Sequence, residues 1–258
     1  MRAHLILSVS ALLFAACDVR GPEVPGRKGA AEEVTVPQRD VKPADFAIES
    51  CSGPGANICL FARAGGKRLL FGAPAGVGNR IAGKELARLD GLFLYSLRSE
   101  DIEGLDEVRN ISWQAGRPGP LSVSGPAGLS SVIDGLNRAY EISDALIFIE
   151  DGAPAGGFDA ALLETAHEVM EDTVVFYTGD LKVEVTTGMN DRLSYRVDYR
   201  DVDETWHTLV IQPCGAPDIA RNDIAVDEVS RVEIACIDGQ FGENWPFEGT
   251  RFLHMDGG

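Results

Sequence analysis

Histidine is scarce in this chain. Only four occur in 258 residues, at His4, His167, His207 and His254, and no two stand at i, i+2 or i, i+4. Catalytic zinc needs several imidazoles and carboxylates converging on one point, so the count alone disfavours such a centre. Positive charge is also short, with 23 Lys and Arg against 40 Asp and Glu and a formal charge of −17. No Lys/Arg cluster interrupts the acidic excess. A surface of that sign repels phosphate backbones, so no nucleic acid is expected as a partner. The apolar run over 5–16 is too short to cross a bilayer as a helix. No repeat of fixed period is present.

What that run does offer is the anatomy of an export signal. Arg2 is a short positive start, the apolar stretch follows, and Leu13-Phe14-Ala15-Ala16-Cys17 closes it with small residues before a cysteine. This ending resembles the lipobox of bacterial lipoproteins, in which Cys17 becomes the acylated first residue. The alternative is an ordinary signal peptide cut near Ala16 that leaves Cys17 as a plain thiol. The lipobox reading implies that residues 1–16 are removed. The protein is then exported and held by lipid on the periplasm-facing membrane surface of the cell envelope. Asp18 resembles an inner-membrane retention signal. Residues 18–44 carry Pro22, Pro25, Pro37 and Pro43 among charges and glycines. They bury too little to fold, so 17–44 is expected to be a lipidated flexible tether. Residues 45–258 remain as one domain with a real core. Losing Arg2 leaves 22 basic against 40 acidic residues, or −18.

With Cys17 acylated, four of the five cysteines remain. An even number in an oxidising compartment suggests two disulfides, with buried free thiols as the alternative. Cys51 and Cys59 flank a Gly/Pro loop and form the local pair, which leaves Cys214 and Cys236.

Apolar periodicity predicts short strands near 46–48, 58–62 and 68–71, the last two around Gly65-Gly66, and a buried strand at 92–95. Ile81, Leu86 and Leu89 suggest a weakly amphipathic helix. Ile102, Leu105, Val108 and Ile111 share a helix face, and residues 120–124 alternate as a strand. Leu129, Val132, Ile133, Leu136 and Tyr140 follow helical spacing. Residues 145–149 read as a strand and 160–170 as a helix. Strands are expected at 174–177, 181–185, 195–199 and 208–211, then a short helix at 226–229 and a final strand at 232–237. This order implies a layered mixed α/β domain.

One stretch carries chemistry by resemblance. Leu92-Phe-Leu-Tyr-Ser-Leu-Arg-Ser-Glu-Asp-Ile-Glu-Gly-Leu105 resembles the metallo-β-lactamase signature, a buried strand running into Thr-His-x-His-x-Asp-His and then a helix. Tyr95 takes the threonine place and Ser96 the first histidine. Arg98 takes the second histidine, Glu100 the aspartate and Asp101 the third histidine. Further segments are similar to the ribonuclease Z-like branch. In Leu69-Leu-Phe-Gly-Ala-Pro-Ala-Gly76, Gly72 stands where aspartate is usual. Gly116-Arg-Pro-Gly-Pro-Leu-Ser-Val-Ser-Gly-Pro126 matches that branch's lead into a helix. Thr187 to Asn190 occupy the place of another ligand histidine, and in Leu209-Val-Ile-Gln-Pro-Cys-Gly215 the cysteine Cys214 falls on the bridging aspartate.

The resemblance implies a four-layer αββα sandwich of the metallo-β-lactamase type, shortened at its C-terminus. It also implies that Ser96, Arg98, Glu100, Asp101 and Cys214 are degenerate former metal-site positions, with no catalytic residue and no metal ligand left. No cofactor is expected, zinc included, and Arg98 would repel a dication. Because the strand bearing Cys214 and the next strand lie side by side in that fold, a Cys214–Cys236 disulfide is expected across the vacated site. It would contribute about 3 kcal/mol. Glu100, Asp101 and Glu103 offer oxygens to calcium or magnesium. The simpler expectation is the acidic first turn of a helix capped by Ser99. The function implied is a non-catalytic binding or scaffolding lipoprotein. Its old pocket, near Tyr95, Arg98, Glu100, Asp101, Met189 and Cys214, would take an unknown small-molecule or protein ligand. The alternative is a metal-dependent hydrolase of the ribonuclease Z-like/phosphodiesterase type with an altered site.

Overall fold

Alternating apolar residues build the strands at 181–187 and 193–200, and continuous apolar runs build those ending at Phe71 and Gln212. The computed structural model describes residues 45–52, 57–219, 228–235 and 252–255. The expected signal, Cys17 and its tether, and also Cys236, lie outside the described residues. Strands β1 (Phe46–Ser50), β2 (Leu60–Ala64), β3 (Lys67–Phe71), β4 (Gly91–Phe93), β5 (Leu121–Pro126) and β6 (Leu163–Val169) form one sheet with β12 (Phe252–Met255). Its order is β12-β1-β2-β3-β4-β5-β6. The first four strands pair antiparallel and β3 to β6 pair parallel. The second sheet runs β11-β10-β9-β8-β7, from β7 (Thr173–Tyr177), β8 (Leu181–Thr187), β9 (Leu193–Arg200), β10 (Trp206–Gln212) and β11 (Glu228–Ala235). Only β10 and β11 are parallel in it.

The two sheets face each other over an apolar core. Phe46, Leu69, Phe71 and Phe93 of the first meet Val183, Tyr195, Val197 and Leu209 of the second. The other face of the first sheet, with Phe61, Leu70, Leu92 and Val123, is covered by Leu86, Val108, Leu129 and Ile133. These come from α1 (Gly83–Leu86), α3 (Leu105–Gln114) and α4 (Leu129–Glu150). An α/β sandwich of two facing sheets is therefore the architecture. Among the described residues no helix covers the outer face of the second sheet, so the expected fourth layer is not seen there. That face still buries Ser194, Arg196, Asp198 and Thr208. Their polar atoms are satisfied locally, with Arg196 Nε and Thr208 Oγ1 both donating to Asp198 and Ser194 Oγ to Pro217 O.

Four expected elements differ. Residues 145–149 continue α4, which runs unbroken to Glu150. A five-residue apolar run does not distinguish strand from helix, and no Gly or Pro stands between Gly135 and Gly152 to end the helix. Of the helix expected over 160–170, residues 160–161 end a short 3-10 turn and 163–169 form β6, because β5–α4–β6 is a crossover whose return strand pairs parallel with β5. Tertiary pairing outweighs the helix preference of Ala and Glu. Residues 228–229 of the expected short helix open β11, while Val226 lies outside the described residues. The helix expected through 102–111 is broken into α2 (Ser99–Ile102) and α3. Gly104 marks the break. It lies so close to Pro74 O and Val77 that any Cβ there would collide, and its N–H donates to Ala73 O at 2.8 Å.

Buried charge fastens α4 to α3. Arg109 and Asp144 form a bidentate pair at 2.6 and 3.1 Å, both side chains excluded from solvent. Beside them Arg117, held by Ser112 and the carbonyls of Gly119, Ala160 and Leu162, has its pKa lowered to about 10 by burial and by Arg109.

Candidate functional site

The strand ends bring Ser96, Glu100 and Asp101 into one region with Arg192. Loops after β3 and β4, the β8–β9 turn and the residues after β10 gather at the same end of the two sheets. The loop after β3 is pinned there by Glu107, whose two carboxylate oxygens each accept a backbone N–H, from Gly76 and Gly78, at 2.9 Å.

Asp101 is the centre of the cluster. It sits in the first turn of α2 yet is only 1% exposed. Ser96 Oγ donates to its Oδ2 and Asn57 Nδ2 to its Oδ1, the latter at 2.8 Å. Arg192, from the turn between β8 and β9, supplies the positive charge. Its guanidinium lies 3.7 Å from Asp101 and 3.3 Å from Glu100, with 16% of its side chain exposed. Its stem passes Gly215 of the segment after β10. That segment is tied to the same turn by Asn190 Nδ2, which donates to Gly215 O at 3.1 Å. A guanidinium thus lies beside both carboxylates.

Tyr95 fills the space beside this network. Its ring lies against Gly72, where an added Cβ would come 2.7 Å from Tyr95 Cε2 and closer still to Ile58 O. Gly72 also has φ +78, a left-handed backbone that favours glycine. Any side chain at 72 would therefore collide with both the Ile58 carbonyl and the Tyr95 ring. The Tyr95 hydroxyl is buried and has no hydrogen-bond partner among the described residues. Burial, then Tyr195, then the Asp101 charge raise its pKa well above the ordinary phenol value. Tyr195 donates to Leu94 O at 2.7 Å, and burial raises its pKa as well.

Several expected positions move. Arg98 is exposed at the N-terminus of α2 and does not line the site. The arginine that matters is Arg192. Met189 is wholly exposed and lines nothing. Ser99 does not cap α2, since its hydroxyl reaches only the Glu100 carboxylate at 3.5 Å. Ser96 and Asp101 stay at the site, joined to each other, and Glu100 stays at its rim. Cys51 and Cys59 form the expected local disulfide, which closes the loop that carries Asn57. Cys214 is disulfide-bonded too. Its expected partner Cys236 lies outside the described residues, although Ala235, the residue before it, pairs with Gln212 in the parallel β10–β11 ladder.

Of the remaining histidines, His167 is exposed on strand β6 instead of a helix face. His207 is buried between Phe46 and Tyr199 and pairs with Asp201 at 2.8 Å, at the opposite end of the second sheet. Asp180 holds the β7–β8 turn through an ion pair with Arg200 at 2.8 Å. Sequence reasoning missed Asn57 and Arg192. Neither belongs to a local pattern, and the only hint was that a buried carboxylate requires a cation from somewhere.

No protein-family model matches the sequence, and no curated protein matches it. Solved structures similar in fold include the metallo-β-lactamase fold protein YhfI from Bacillus subtilis. It is 13% identical with TM-score 0.44, and the match covers 65% of this chain and 61% of that one. The short form of human tRNase Z is 16% identical with TM-score 0.45, covering 67% and 71%. A diphosphatase of the PhnP family is 14% identical with TM-score 0.38, covering 63% and 54%. The chain thus spans about three fifths of the YhfI structure. The likeness is one of fold alone: a mixed α/β arrangement of two sheets similar to that of metallo-β-lactamase-fold proteins.

Proposed function

We propose that this chain is a non-catalytic binding or scaffolding lipoprotein of the cell envelope, in which an internal guanidinium has replaced the metal of a hydrolase-like frame. The observation that carries the reading is Arg192, lying between Glu100 and Asp101. A divalent cation beside these carboxylates would face a fixed positive charge at close range. The donor set is a poor fit for a dinuclear centre for a second reason. Cys214, at the bridging position, is engaged in a disulfide and supplies no thiolate. No step of a hydrolytic mechanism is assigned to these residues. Lipid on Cys17 would hold the body at the membrane surface, while the acidic chain keeps away from nucleic acid.

The test is metal content and turnover in protein purified without chelator. Sub-stoichiometric zinc, manganese and iron, together with no hydrolysis of a chromogenic phosphodiester when these metals are added, is the expected result. Stoichiometric metal with turnover would overturn the reading in favour of an altered ribonuclease Z-like hydrolase. Labelling with a radioactive fatty acid, lost on Cys17→Ser, checks the anchor separately.

A further inference from the structure

Helix α4 has two apolar faces, and only one meets the sheet. Leu129, Ile133 and Leu136 turn inward to the core. On the opposite side Ile142, Leu146 and Ile149 are 76%, 50% and 77% exposed. At 100° per residue these three lie on one line with Ser131, Gly135 and Ala139, which are exposed as well. The outer stripe is therefore small at its N-terminal half and bulky at its C-terminal half. A surface helix ordinarily carries polar residues there, and an exposed apolar stripe of this kind marks an interaction surface.

We propose that this stripe is a homodimer interface in which α4 packs antiparallel on α4 of a second copy. Antiparallel pairing about a twofold axis near residue 140 sets the small half of each stripe against the bulky half of the other. Ile149 then meets Ser131, Leu146 meets Gly135, and Ile142 meets Ala139 of the other copy. An added Cβ at Gly135 meets nothing within 4 Å among the described residues, which leaves room for a partner side chain. Charge agrees with the same register. Arg138 and Glu141 are both exposed on one flank of the stripe, and antiparallel pairing brings each beside the other's counterpart, twice by symmetry. A parallel pair would set Ile149 against Ile149 and leave the small half unfilled. The helix has 22 residues, or about 33 Å.

The experiment is cysteine cross-linking of the full chain in membranes. Two differently tagged copies, one Ser131→Cys and one Ile149→Cys, are expressed together and mildly oxidised. The expected result is a cross-linked heterodimer from the mixture, little from either variant alone, and loss of the band when Leu146→Asp is added to both. Thermal melting checks that the exposed substitutions leave the fold intact. Equal cross-linking of each variant with itself would overturn the antiparallel register. No cross-link, with both cysteines open to a thiol reagent, would overturn the interface. Cysteines shielded without a cross-link would show that a lipid surface or another protein covers the stripe, and would overturn it equally.

Discussion

If Arg192 neutralises a buried carboxylate, removing its charge should be costly, and removing the carboxylates should repay the loss. Arg192→Met keeps the hydrocarbon stem beside Gly215 and deletes only the guanidinium. At the 3.7 Å separation from Asp101, an effective dielectric near 20 gives an attraction of about 4–5 kcal/mol. Part of this is offset because Arg192 is itself mostly withdrawn from water. Asp101 also keeps its hydrogen bonds from Asn57 and Ser96. The net loss expected is about 2–3 kcal/mol, below the ~3–5 kcal/mol for breaking a fully buried pair. For a domain of this size that lowers Tm by roughly 4–12 °C. Urea unfolding followed by circular dichroism gives the free energy, with an unchanged m-value as the check on two-state behaviour. Adding Glu100→Gln and Asp101→Asn to Arg192→Met should recover at least half of the loss, since no anion is then left unpaired. A loss under about 0.5 kcal/mol, or a triple variant no more stable than Arg192→Met, would refute the compensation.

Two further outcomes follow from the same kind of accounting. Asp144→Ala strands Arg109 in the core and should cost about 3–5 kcal/mol, whereas Arg109→Met with Asp144→Leu should fall much closer to the parent in chemical denaturation. Glu168 accepts hydrogen bonds from Ser130 Oγ and from the N–H groups of Gly128 and Ser130 at the start of α4, and these lower its pKa. A depressed folded pKa contributes stability above the ordinary carboxylate pKa and loses it as pH falls through the folded value. Glu168→Gln should therefore flatten that acid-side portion of the stability curve and change little of its shape at neutral pH, as melting from pH 7 down to pH 3 will read.

Local patterns carried much of the fold. The strands near 181–185 and 195–199 were legible because apolar residues recur at every second position, and those near 68–71, 174–177 and 208–211 because each is a short continuous apolar run. The Cys51–Cys59 pair was legible because its loop is short. Residues 145–149 and 160–170 were misread because their short apolar or Ala- and Glu-containing runs satisfy more than one period. Pairing with β5 and the Arg109–Asp144 bond decided between them.

The candidate site divides in the same way. From the sequence alone came the place of Ser96, Glu100 and Asp101 after a buried strand and the want of histidines. The tertiary structure alone decided which arginine answers them. Arg98 is two residues from Glu100 and points to solvent, whereas Arg192, 92 residues away, lies at its side. Periodicity records which face of an element is dry. The partner of a buried charge depends on which strand ends the topology brings together, and that is a property of the folded chain.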